Sequence, residues 1–96
     1  MNRKKSKYRN IKINNKRYYF YKIIWQDILG DAGHATSKEF DAMRPAIKTT
    51  YGFIYNKNKK YLWTFNTYDD KEDEFTDRNV FPMGCIKEMT KILIWK

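Results

Sequence analysis

The sequence predicts a small, mainly β domain: a five-stranded barrel with one short helix and a basic N-terminal arm or hairpin. Three observations carry that expectation. Aromatic and β-branched residues alternate with polar ones at the period of two that a half-buried strand requires. Turn residues separate these runs at close spacing. A length of 96 residues leaves room for one core and no second one.

The elements follow in chain order. Residues 1–7 show no alternation and are expected to be disordered. Ile11 and Ile13 flank Lys12 and precede Asn14 and Asn15, a pair that tolerates the positive φ of a tight turn. Tyr18 to Ile28 then reads as a long strand. A hairpin from Tyr8 to Trp25 would set Lys12, Lys16 and Arg17 around its tip. Asp27 reads as a turn or cap residue, and Gly30 and Gly33 end the strand. Thr36-Ser37-Lys38-Glu39 is a capping box, in which the Thr hydroxyl and Glu carboxylate each accept from a free backbone donor. It predicts a helix over 37–43, with Phe40 and Met43 on one face and Pro45 as the stop.

Across 46–55, Ile47, Thr49, Tyr51, Phe53 and Tyr55 point one way and Lys48, Thr50, Gly52 and Ile54 the other. Residues 56–60 are a turn, and Tyr61 to Thr67 is the partner strand. Residues 69–77 hold six acids against Lys71 alone. They read as a solvated loop whose charges keep a sheet edge from pairing. Contact with the basic arm of the same or a neighbouring molecule is the other reading. An EF-hand is disfavoured, because the alternating acids and turn glycine are missing. Asn79 to Phe81 is a short strand cut by Pro82, 82–85 is a turn or one 3₁₀ turn, and Ile86 to Trp95 closes the chain. This order is similar to that of SH3-like and Sm-like barrels. The expected division is a basic arm over 1–17 and a barrel over 18–96.

The charge is uneven. The chain carries +9, and +8 of it comes from Arg3, Lys4, Lys5, Lys7, Arg9, Lys12, Lys16 and Arg17. Such a segment attracts polyanions: nucleic acid, an acidic protein surface or an anionic membrane. Its plain alternative is solubility alone. If all eight charges met phosphates of duplex DNA, the log–log salt slope would reach roughly −7, with no base information. Eight Tyr and three Trp exceed what one small core needs. Most aromatics serve that core; Tyr51, Tyr55 and Tyr61, beside Lys57, Lys59 and Lys60, are the candidates for stacking on bases.

Other chemistry is sparse. No GxSxG, P-loop or HExxH occurs. Cys85 and His34 could form a nucleophile and base; Cys85 reads instead as a structural thiol before an apolar strand, and His34 as a loop residue. One Cys and one His exclude a Cys/His structural zinc site within one chain. No catalytic residue, metal or cofactor is expected. A single Cys fits a reducing cytosol, no apolar run is long enough to span a membrane, and the polar start does not read as a secretory signal.

Ile23-Ile24-Trp25-Gln26-Asp27, Thr50-Tyr51-Gly52-Phe53-Ile54, Lys60-Tyr61-Leu62-Trp63 and Val80-Phe81-Pro82-Met83-Gly84-Cys85-Ile86 together resemble a group of small bacteriophage-encoded accessory proteins. That group carries a W-x-D strand, a T-x-G strand and a P-x-G-C-I segment. The likeness covers residues 20–93 and leaves out the arm. It departs from the group at Met83, where Lys is expected, and near His34, where Trp is expected. It implies no activity residue by residue. It does imply a non-enzymatic protein in the cytoplasm of a bacterial host that blocks a host function, such as a defence system. The expected target is a nucleic acid, a nucleoprotein or a nucleotide signal. A general nucleic-acid-binding module in phage gene expression or DNA metabolism is the alternative. No membrane partner is expected. Ile86 to Trp95 ends at an apolar edge suited to pairing with a second copy.

Overall fold

The computed structural model describes residues 6–94, so Arg3, Lys4, Lys5 and Trp95 lie outside the described residues. Strands β1 (Asn10–Ile13) and β2 (Lys16–Asp27) form the N-terminal hairpin. Asn14 and Asn15 turn it with φ of 49° and 68°, the two positive values of a tight primed turn. A projection over 28–45 carries the one α-helix among the described residues, α1 (Ser37–Asp41). Then come β3 (Ala46–Lys57), β4 (Tyr61–Phe65), β5 (Thr67–Asp69), β6 (Glu74–Thr76), β7 (Asn79–Pro82), a 3₁₀ turn (Met83–Cys85) and β8 (Ile86–Lys91).

The main sheet is antiparallel, in the order β1-β2-β3-β4-β7, with β8 also on β2. β1 and β8 share one edge of β2 end to end: β1 pairs residues 16–19 and β8 pairs residues 21–25. They meet at Phe20, whose amide donates to the Arg9 carbonyl and whose carbonyl accepts from the Ile92 amide. Beyond that junction residues 7–9 pair with 92–94, through Arg9 N–H to the Ile92 carbonyl and Ile94 N–H to the Lys7 carbonyl.

Both faces of the sheet are apolar, because β2 alternates two sets of large side chains. The first face buries Ile23, Leu62 and Phe81, with Trp25, Ile54, Ile86 and Met89 packed against them. Trp25 lies edge-on to Phe81 and donates its indole N–H to the Thr50 hydroxyl at 2.9 Å. The second face buries Ile13, Tyr18 and Phe65, with Phe53, Tyr68 and Phe75 around them. The aromatic excess of the sequence is therefore spent mostly on a second cluster behind the sheet.

Several expectations need correction. Among the described residues eight strands form where five were expected, and the sheet is open: there β7 pairs only β4 and β8 pairs only β2. β4 stops at Phe65, and Thr67–Asp69 starts a separate hairpin with β6. The acidic stretch is the tip of that hairpin rather than a plain loop. Its Tyr68 and Phe75 cover the second aromatic cluster while the acids face water. Lys7 is paired with Ile94 and the Ser6 hydroxyl is bonded to Tyr8, so neither is loose, and the last strand ends at Lys91.

Candidate nucleic-acid interface

The basic residues of the N-terminal hairpin sit on strands, so the fold dictates where each points. The register sets Asn10 opposite Tyr19, Ile11 opposite Tyr18, Lys12 opposite Arg17 and Ile13 opposite Lys16. One side of the hairpin therefore carries Ile11, Ile13 and Tyr18 into the second cluster. The other side carries Asn10, Lys12, Arg17 and Tyr19. Two cations directly across an antiparallel pair repel each other. Arg17 is held in place by donating to the Asn10 side-chain carbonyl at 2.7 Å.

β8 brings a further cation to the same side. Lys91 pairs with Tyr21, and its ammonium lies 4.7 Å from the Tyr19 ring centre and 4.9 Å from that of Tyr8. Lys7 stands 5.5 Å from the Tyr8 ring. Such cation–π contacts are worth about 0.5–1 kcal/mol at exposed sites. They fix the ammonium groups over flat rings. Lys12, Arg17 and Lys91, with Tyr8 and Tyr19, make a strip of cations and rings on one face.

Arg9 and Lys16 belong to the opposite face, over the Phe20 ring at 5.4 Å and the Tyr18 ring at 5.3 Å. That face meets the acidic hairpin. The Asn14 amide reaches the Asp73 carboxylate at 3.5 Å, and the Tyr68 hydroxyl donates to the same carboxylate at 2.5 Å. This bond pushes the Tyr68 hydroxyl above its ordinary pKa. Burial does the same for Tyr18, helped by Tyr55 and Asp73. An anion approaching the hairpin thus meets carboxylates from the second face and cations from the first.

The other candidates are distributed as follows. Lys57, Lys59 and Lys60 are exposed at the β3–β4 turn, where the Asn58 side chain accepts from the amides of Lys60 and Tyr61 at 2.8 Å. Because β2 and β3 are antiparallel, this turn and the β1–β2 turn lie at the same end of the sheet. Tyr55 stacks on Tyr18 with centroids 6.1 Å apart, and Tyr51 on Phe20 at 6.3 Å. Both therefore lie on the second face. Tyr61 sits beside Trp63 at 5.8 Å. The three are half exposed and belong to two strands away from the Lys12–Arg17 strip. Sequence reasoning missed Tyr8, Tyr19 and Lys91. The alternation of the hairpin could have found Tyr19, whereas only the β2–β8 register reveals Lys91.

Cys85 is half-buried in the 3₁₀ turn and His34 is exposed on the projection, so they occupy separate elements. Among the described residues no group of three or more His, Cys, Asp or Glu could hold a metal, and no helix is long and apolar enough to cross a membrane. An open groove of about 870 Å³ lies between β4 and the acidic hairpin, with Tyr55, Trp63, Phe75 and Val80 among its walls and Asp73, Glu74 and Arg78 at its polar positions. The chain matches no family model, no curated protein and no solved structure.

Proposed function

We propose that the chain is a non-enzymatic nucleic-acid-binding protein that meets phosphates on the Lys12–Arg17–Lys91 strip. The supporting observation is the direct opposition of Lys12 and Arg17 in the β1–β2 register. A fold that holds two like charges together carries an electrostatic cost. A polyanion turns that cost into affinity by neutralising both. Tyr8 and Tyr19, beside the cations, offer ring surface to bases of a single strand.

An SH3-like sheet is the reading we favour for the architecture. Its support is the strand path, with the 3₁₀ turn joining the two strands at opposite ends of β8-β2-β3-β4-β7. The resemblance to phage accessory proteins supports a cytoplasmic role in which binding blocks a host function. In that role the ligand would be a host nucleic acid or nucleoprotein.

The test is a fluorescence-anisotropy titration of labelled single-stranded RNA and duplex DNA at two salt concentrations. Deleting residues 1–17 would remove β1 and the Ile13 contacts, so charge reversal is the cleaner variant. Binding that weakens steeply with salt and is lost in the double variant Lys12→Glu, Arg17→Glu is the expected result. Absence of binding at near-physiological salt would refute the proposal. It would leave a small nucleotide or an acidic protein surface as the ligand to pursue.

A further inference from the structure

Resting on the nucleic-acid reading above, we infer that the β5–β6 hairpin is an electrostatic guard. It withholds Lys16 from phosphates and confines a polyanion to the Lys12–Arg17–Lys91 face. The hairpin tip sets five acids, Asp69, Asp70, Glu72, Asp73 and Glu74, against Lys71, and all five are exposed. On an unanchored loop such acids could swing away from any cation near them.

Here the tip is held in place. Tyr68 and Phe75 seat the hairpin on the second cluster, with the Phe75 ring centre 4.7 Å from that of Phe65. The Asp69 carboxylate turns the tip by accepting from the amides of Lys71 and Glu72 at 2.9 and 3.2 Å. The Thr67 hydroxyl closes the base by donating to the Asp77 carboxylate at 3.1 Å. Asp73 then reaches the basic hairpin itself, accepting from the Asn14 side-chain amide and the Tyr68 hydroxyl.

Lys16 is the cation that meets this arrangement. Its register partner is Ile13 and its ammonium lies over the Tyr18 ring, so it belongs to the second face. It follows Asn14 by two residues, and two residues of strand span about 7 Å. That is inside the Debye length of ~8 Å at physiological salt. The field of Asp73 reaches the ring beneath it: burial first, then Tyr55 and Asp73, raise the Tyr18 hydroxyl above its ordinary pKa. Lys12 and Arg17 are as near the turn along the chain, but they project from the other side of the sheet. A phosphate on Lys16 therefore approaches the carboxylates of the tip, whereas a phosphate on the strip has the sheet between. Like-charge juxtaposition of this kind rejects a wrong docking mode. Counted by sequence, Lys16 is one more phosphate contact; its placement removes it.

The experiment is a double-mutant cycle on the full chain, read by anisotropy on duplex DNA over a range of salt. Asp70→Asn, Glu72→Gln and Glu74→Gln together neutralise the guard and keep the bonds of Asp69, Asp73 and Asp77. Far-UV circular dichroism checks that the sheet is retained. Lys16→Ala should change the affinity of the native chain by less than about twofold. In the neutralised chain it should cost roughly fivefold and flatten the log–log salt slope by about 0.9, the share of one phosphate contact. Asp70→Asn alone should show the same coupling at smaller size. An equal cost of Lys16→Ala in the native and neutralised chains would overturn the inference and leave the nucleic-acid reading standing, because total charge alone predicts it. Binding by neither chain would remove that reading, and the guard with it.

Discussion

The N-terminal hairpin and the projection are both exposed, and they are held in opposite ways. The hairpin is pinned by tertiary contacts: Ile13 and Tyr18 are buried with Phe65, and residues 7–9 pair with 92–94. Its charged residues and the turn residues Asn14 and Asn15 are exposed, and Tyr8 and Tyr19 are half-buried. The projection has no buried residue and is shaped by its own polar bonds, while its apolar side chains reach water. The hairpin therefore has an inside and an outside of its own, and its outside carries the cations that we propose meet a polyanion. The projection is tied by local polar bonds of Asp31, Thr36, Glu39 and Arg44, and it leaves Ile28, Leu29 and Phe40 exposed. Exposure alone does not say what an element binds; what its anchoring leaves unused does.

The largest effect that would sharpen this contrast is on the anchor. Phe65→Ala should cost about 3–5 kcal/mol, because the ring is 1 % exposed and touches Tyr18, Tyr55 and Phe75. Urea unfolding would measure it, and nucleic-acid binding should weaken with it. Phe40→Ala, by contrast, should change stability by less than about 0.5 kcal/mol. A large loss from Phe40→Ala would mean that the projection is anchored after all.

A smaller effect lies on the first face. The Thr64 hydroxyl is buried and has no hydrogen-bond partner. Thr64→Val keeps the shape and removes an unsatisfied group, so it should stabilise the fold by about 1 kcal/mol. A loss in thermal unfolding would mean that a water or neighbour satisfies that oxygen.

The smallest effect is confined to the projection. The Glu39 carboxyl lies below its ordinary pKa, first because the Thr36 backbone N–H bonds it and then because the Thr36 hydroxyl does. A depressed folded-state pKa means that the cap stabilises above the unfolded value of 4.5 and is lost as pH falls through the folded one. Amide exchange at Glu39 and Phe40 should quicken below that window, and Thr36→Ala should remove the pH dependence. Protection in the main sheet should not follow the same titration. If it did, the two regions would be one cooperative unit.

Much of the fold was legible. The Asn14–Asn15 turn, the Thr36–Glu39 cap, the β3–β4 hairpin and the 3₁₀ turn each rest on local chemistry, and local chemistry is what a sequence displays. The β5–β6 hairpin was hidden because its acids outnumber Tyr68 and Phe75, the two residues that anchor it. The second core was hidden because apolar residues on both sides of β2 look like one strand with a surplus of aromatics. The strip was half legible. Lys12 and Arg17 could be placed around a hairpin tip, but Lys91 reaches them through its pairing with Tyr21, 70 residues away in sequence.

The central claim is that placement, and not net charge, makes the interface. The direct test compares two triple variants of equal charge change by anisotropy against single-stranded RNA and duplex DNA. One is Lys12→Ala, Arg17→Ala, Lys91→Ala; the other is Lys57→Ala, Lys59→Ala, Lys60→Ala. The first set should lose the greater affinity and flatten the log–log salt slope on duplex DNA by roughly 2.7, about 0.9 for each phosphate contact removed. The second should keep most of both. Equal losses from the two sets would contradict the account, because binding would then follow total charge wherever it sits.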